Sequence, residues 1–177
     1  MTKDVRYQIL NPKTAISRLT AAALVLAIGA FSLACDRSPL DNSFGSAESL
    51  AKAVLGALEH EDREAMLALM VTSEEHLDLL WEHLPESNHL PFDYARQLNE
   101  HNSGKAVTAA IANYGGNRFE LVSIEFTGEP EEYDGFTLHF GAVLKVRRVS
   151  DRAEGALPIL DVILEYGGRW KLMNYDE

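Results

Sequence analysis

Chemistry-bearing residues are sparse in this chain, and few stand at spacings that make a site. It holds six histidines, 27 acidic residues and one cysteine. His76 and His83 are seven apart and share a face if one helix runs through both. No third ligand stands with them and no H-E-x-x-H occurs, so no metal site is expected and the histidines are read as solvent-facing. His60, Glu61 and Asp62 are consecutive, which suits a helix junction better than a chelate. The G-x-S-x-G, Walker and dinucleotide-binding patterns do not occur, and no cofactor is expected. Glu129, Glu131, Glu132 and Asp134 crowd around Pro130 and read as a solvated turn.

One polar pair is set on an apolar strand face. Gly167-Gly168 reads as a two-residue hairpin turn of the kind that needs positive φ. That turn pairs Tyr166 with Arg169, Glu165 with Trp170, Ile163 with Leu172 and Asp161 with Asn174. Leu157 and Ile159 share the same face. With Trp170 beside them, Asp161 and Asn174 are candidates to hold a ligand's hydroxyl or amine by hydrogen bonds. Alternatively, desolvation makes Asp161 a general base in a cavity lined by residues such as Tyr94 and His139. A third reading is structural: Asp161 is solvated at the strand's open end or paired with a nearby base, and a one-residue slip moves it to the other face. The opposite face carries Leu160, Val162 and Leu164 beside Arg169, Lys171, Met173 and Tyr175. It needs cover from a second copy or another protein, unless the register differs and that row is the core.

The elements that must position these residues follow from capping and periodicity. Ser46 is placed to cap a helix striped with Leu50, Val54 and Leu58. Asp62 caps a second, with Met66, Leu67, Leu69 and Met70. Thr72 and Glu75 have capping-box spacing for a third, with Leu77, Leu80, Trp81 and Leu84 on one face and Pro85 as its stop. Pro91 opens a fourth, which pauses near 102–104 and ends at Gly115-Gly116. After Gly116 the period changes from near four to two. Strands are expected over 118–127, 136–146, 157–166 and 169–175, with Trp170 and the alternating Phe136–Val146 row in the core.

The N-terminal part reads differently. A basic stretch to Arg18 precedes a charge-free apolar run from Leu19 to Ala34, shorter than the roughly 20 residues that span a bilayer as a helix. Cys35 follows. Ser32-Leu33-Ala34-Cys35 resembles the junction of bacterial lipoprotein signals, in which a small residue precedes the cysteine that becomes acylated after cleavage. The family's leucine three residues before the cysteine is Ser32 here, with Leu33 one later. The resemblance implies lipid attachment at Cys35 and anchorage to an envelope membrane. A chance cysteine after an ordinary signal, or an uncleaved anchor, are the alternatives. As the single cysteine of the chain, Cys35 has no partner for an intramolecular disulfide.

Residues 1–34 contain Lys3, Arg6, Lys13 and Arg18 and one acid, Asp4. Of 16 basic and 27 acidic residues, 12 and 26 therefore fall in 35–177, a net charge of −14 over 143 residues. Such a balance argues against nucleic acid as partner and suits solubility near an anionic surface. The organisation expected is a signal over 1–34, a Pro/Gly/Ser tether over 35–46 and one domain over 47–177.

Helices followed by an antiparallel meander give an α+β class, with N-terminal helices packed on a curved four-stranded sheet. With Gly168-Arg169-Trp170 in the last strand, this order resembles the nuclear-transport-factor-two-like, or cystatin-like, superfold. That superfold hosts isomerases, dehydratases and binding modules, so it fixes no function. The leading reading is a tethered, non-enzymatic module that binds a ligand or a protein partner. An enzyme using an acid such as Asp161, and a structural protein docked in an envelope complex, are the alternatives; a homodimer fits the uncovered face. If Cys35 carries the anchor, Cys35→Ser should abolish lipid labelling and move the protein out of the membrane fraction. A variant that stays membrane-bound would make the apolar run itself the anchor.

Overall fold

Helix starts fall where the capping residues stand. The computed structural model describes residues 39–176; the leader, the apolar run and Cys35 lie outside the described residues. Ser46 caps helix α1 (Ala47–Glu59) by accepting the Ser49 amide, and Leu50, Ala51, Val54, Leu55 and Leu58 form its buried stripe. Asp62 caps α2 (Arg63–Ala68) through the Ala65 amide at 2.9 Å. Thr72 and Glu75 close the expected capping box on α3 (Ser73–Glu75).

Beyond Glu75 the expected third helix changes character. His76–Leu80 is a π turn, and Trp81–His83 and Pro85–Asn88 are 3-10 turns. A π turn adds a residue to the turn and shifts the phase of everything after it. The face expected to unite Leu77, Leu80, Trp81 and Leu84 is therefore split: Leu80 and Leu84 are buried and Leu77 is exposed. Helix α4 (Phe92–Tyr114) runs without the expected pause. Its buried residues, Ser103, Ala106, Val107 and Ala110, all lie in its second half.

The four expected strands are present in outline, but the 136–146 stretch is cut in two and the 157–166 strand begins only at Leu160, with Leu157 ending a separate strand of the other sheet. The strands are β1 (Phe119–Phe126), β2 (Glu131–Tyr133), β3 (Phe136–Phe140), β4 (Ala142–Arg148), β5 (Glu154–Leu157), β6 (Leu160–Tyr166) and β7 (Arg169–Tyr175). They form two antiparallel sheets, β1-β4-β5 and β2-β3-β6-β7, where one sheet of four was expected. Gly141 is the physical reason. Its φ is +62°, and a Cβ there would collide with Thr127 Oγ1, so the chain turns where only glycine fits. Its amide donates to the Asp161 carbonyl and its carbonyl accepts from the Thr127 amide, which bonds it to both sheets. The alternating row survives the cut. Phe136 and Leu138 enter one core cluster, while Ala142, Leu144 and Val146 enter another.

Strands β6 and β7 bury both faces. Ile163 and Leu172 pack with α1, α2, α4 and β4 in the larger cluster. Leu164, Val162 and Met173 pack with Leu40, Leu80 and Leu84 in the second. The face expected to need a partner is thus covered by the chain's own residues. Trp170 is half-buried against the edge of the larger cluster, not enclosed in it.

Residues 39–46, expected as part of a flexible tether, form a strap bonded to β7. Phe44 and Trp170 exchange both backbone hydrogen bonds, at 2.9 and 2.8 Å. Arg169 donates to the Ser43 hydroxyl and carbonyl. The Val71 amide donates to the Leu172 carbonyl at 2.7 Å, so a second segment covers the same strand edge. Sequence could not show this, because main-chain pairing leaves no composition signal.

The strap's deepest tie is ionic. Lys171, 1% exposed, donates to both carboxylate oxygens of Glu75 at 2.8 and 2.7 Å and to the Asp41 carbonyl at 2.7 Å. Glu75 also accepts the Asp41 and Thr72 amides, each at 2.7 Å. Burial on its own would raise the Glu75 carboxyl, but the hydrogen bonds from Lys171, Thr72 and Asp41 outweigh it and hold it below the ordinary 4.5. Folded Glu75 therefore binds a proton less readily than unfolded Glu75. Its contribution is complete above about pH 4.5 and is lost as the pH falls through the lowered folded value. Lys171→Met alone should cost about 3–5 kcal/mol in urea unfolding, and Lys171→Met with Glu75→Leu should recover most of that. A single variant within about 1 kcal/mol of the parent would place the pair in water.

Candidate functional site

Between the outer face of the β2-β3-β6-β7 sheet, the 76–86 turns and the first half of α4 lies a cavity of about 300 Å³. Its floor is apolar: Leu138 and Phe140 from β3, Val162 from β6 and Met173 from β7. Leu138 and Phe140 share a face by simple alternation. Met173 and Asn174 are neighbours in sequence, yet both line the space. Compensating bulges explain this. Ile163 pairs with Leu172, but Val162 pairs with Asn174 and Leu160 with Tyr175, so Met173 is the extra residue on β7 and Asp161 the extra residue on β6. Bulges re-aim side chains without losing the overall register.

The walls carry the polar and aromatic groups. His76 opens the π turn. It meets Trp81 and Phe92 edge-on, with centroids 5.8 and 5.5 Å away, and those two rings are themselves 5.4 Å apart. Its Nε2 is buried without a hydrogen-bond partner. Burial depresses the His76 pKa below the ordinary 6.5, and the charge of Glu86 only partly opposes this. The ring is therefore neutral at pH 7. Across the space, Tyr133 donates to Glu131 Oε2 at 2.6 Å. That bond, with burial and the charges of Glu131 and Glu86, pushes the phenol up to about 12. Asn99 donates to the Met173 carbonyl at 3.1 Å, and Asn174 donates to Asp161 Oδ2 at 2.7 Å.

The structure brings together part of what the sequence suggested. Asp161 and Asn174 are hydrogen-bonded, though through the bulges and not as directly opposed residues. Asn174 lines the cavity and Asp161 does not. Trp170 does not join them. It stacks on His139 at 4.8 Å, away from the cavity. His139 in turn bonds to Glu165 at 3.1 Å, and Tyr94 is exposed, so Tyr94, His139 and Asp161 form no common cavity. His83 packs on Phe136, separate from His76, because the π and 3-10 turns break the helix that would have aligned them.

Sequence reasoning missed His76, Trp81, Glu86, Glu131 and Tyr133 as cavity residues. One signal was legible. Glu131 and Tyr133 alternate beside Phe136, as a short strand would, within a stretch read as a solvated turn. Among the described residues, no group of three or more His, Cys, Asp or Glu is placed to hold a metal ion. No helix among them is long and apolar enough to cross a membrane. Compared with known proteins, the chain matches no family model, and neither a curated protein nor a solved structure is significantly similar to it.

A half-buried His76 with its pKa depressed binds fewer protons folded than unfolded. Stability should therefore decline as the pH falls from about 6.5 toward the lowered folded value. An imidazole NMR titration should give His76 a midpoint below 6.5. A midpoint at or above that value would mean the ring faces water.

Proposed function

We propose that this chain is a lipid-anchored protein of the bacterial envelope whose domain binds a small molecule and does not transform it. The cavity carries the binding half of the reading. Its volume and its apolar floor with a few polar wall groups match the usual build of a small-molecule site. The orphan His76 Nε2 adds an unfilled hydrogen-bond position at its wall. A π turn and paired bulges border the same space, and such irregularities recur at functional sites.

The anchoring half rests on sequence: the apolar run, Ala34-Cys35 and the single cysteine. The order of helices and strands supports kinship with the nuclear-transport-factor-two-like superfold, in which such cavities are common.

The enzyme reading loses its motivating residue. Asp161 Oδ2 accepts the Asn174 amide, and no histidine stands at that carboxylate to relay a proton. Docking through the outer sheet face loses its motive too, since Leu40, Leu80 and Leu84 cover that face.

Native mass spectrometry of the purified protein should reveal a bound small molecule. Ala95 lines the cavity from the half of α4 that carries no buried residue, so Ala95→Trp should fill the space and displace that molecule with little change in melting temperature. A stable Ala95→Trp protein that retains the adduct would place binding elsewhere.

A further inference from the structure

Hydrogen-bond accounting in the cavity wall points to the class of ligand. The Tyr133 hydroxyl already donates to Glu131, the Asn99 amide to Met173 and the Asn174 amide to Asp161. The Trp81 indole N–H, one N–H of the neutral His76 ring and the second N–H of each Asn amide are left over, and all of these donors are neutral. The acceptors carry the charge. Glu86 has no hydrogen bond or ion pair through its carboxylate among the described residues, and Glu131 Oε1 and Asn174 Oδ1 are likewise unused. No lysine or arginine lines the space. The wall groups thus present negative charge, lone pairs and aromatic rings above an apolar floor.

From this we infer that the ligand is an organic cation: a protonated amine carrying an apolar, ring-sized body. The ammonium supplies the positive charge that the wall lacks, and the aromatic rings of Trp81 and Tyr133, the latter stacked on Phe136 by one face, favour a cation beside them. The body lies against Leu138, Val162 and Met173. An anionic ligand would meet two uncompensated carboxylates and a chain of net charge −11. The inference rests on the cavity being a binding site, as proposed above.

Three probes with one body and different heads separate the two claims: 2-phenylethylamine, 2-phenylethanol and phenylacetate, titrated into the full chain at pH 7 and followed by NMR. The amine should bind about tenfold more tightly than the alcohol, the difference between a charge-assisted and a neutral hydrogen bond, and phenylacetate more weakly than both. Glu131→Gln and Glu86→Gln, both at exposed positions that should not disturb the fold, should bring the amine to the affinity of the alcohol. Equal affinity for amine and alcohol would overturn the cation inference and leave the cavity as a binding site. Failure of all three to shift the cavity residues would overturn both.

Discussion

A buried ion pair governs how this domain closes. Lys171 projects from β7 into the space under the strap, and Glu75 sits in the capping box at the start of α3. Each charge would be costly there without the other, and five hydrogen bonds satisfy the pair: three from the ammonium and two from the Asp41 and Thr72 amides. The arrangement ties together a strand, a helix start and an N-terminal strap. It also anchors the segment that continues into the π turn, so the walls of the cavity begin at this contact. Buried pairs of this kind are costly to break singly, which holds the joined segments in one arrangement.

The cavity exists because local order is broken on two sides. A regular helix through 73–84 would have placed Leu77 with Leu80 and Leu84 against the sheet. The π turn rotates the chain instead, exposes Leu77 and sets His76 and Trp81 at the cavity wall. On the floor, the extra residue on β7 turns Met173 and Asn174 to the same space. Both irregularities forgo regular pairing or packing around one volume. The first half of α4 stands over that volume with no buried residue of its own, held by Phe92 in the ring cluster with His76 and Trp81.

Much of the fold could be read from the residues. Caps at Ser46, Asp62 and Thr72, the hairpin at Gly167-Gly168 and the α+β class all follow from local chemistry with a short range. The Asp161–Asn174 contact was legible only in part: the tight turn carries the register out to Ile163 and Leu172, and beyond them a bulge sets Val162, not Asp161, opposite Asn174. What could not be read depended on distant partners. The strap is held by main-chain pairing with β7 and by Lys171, 130 residues along the chain from Asp41. The break at Gly141 needs the position of Thr127 to be understood. The cavity lining draws on six separate segments, and no periodicity announces such a meeting. Leu77 was misplaced because a helical stripe assumes an uninterrupted period.

The most direct measurement is a crystal structure of the chain purified from a bacterial host without refolding. The expected result is density in the space between Trp81, Tyr133 and Val162 that reaches His76 Nε2 and Asn174 Oδ1. A collapsed space, with His76 Nε2 bonded to a protein group and the rings of Trp81 and Phe92 packed onto the sheet, would contradict the binding role.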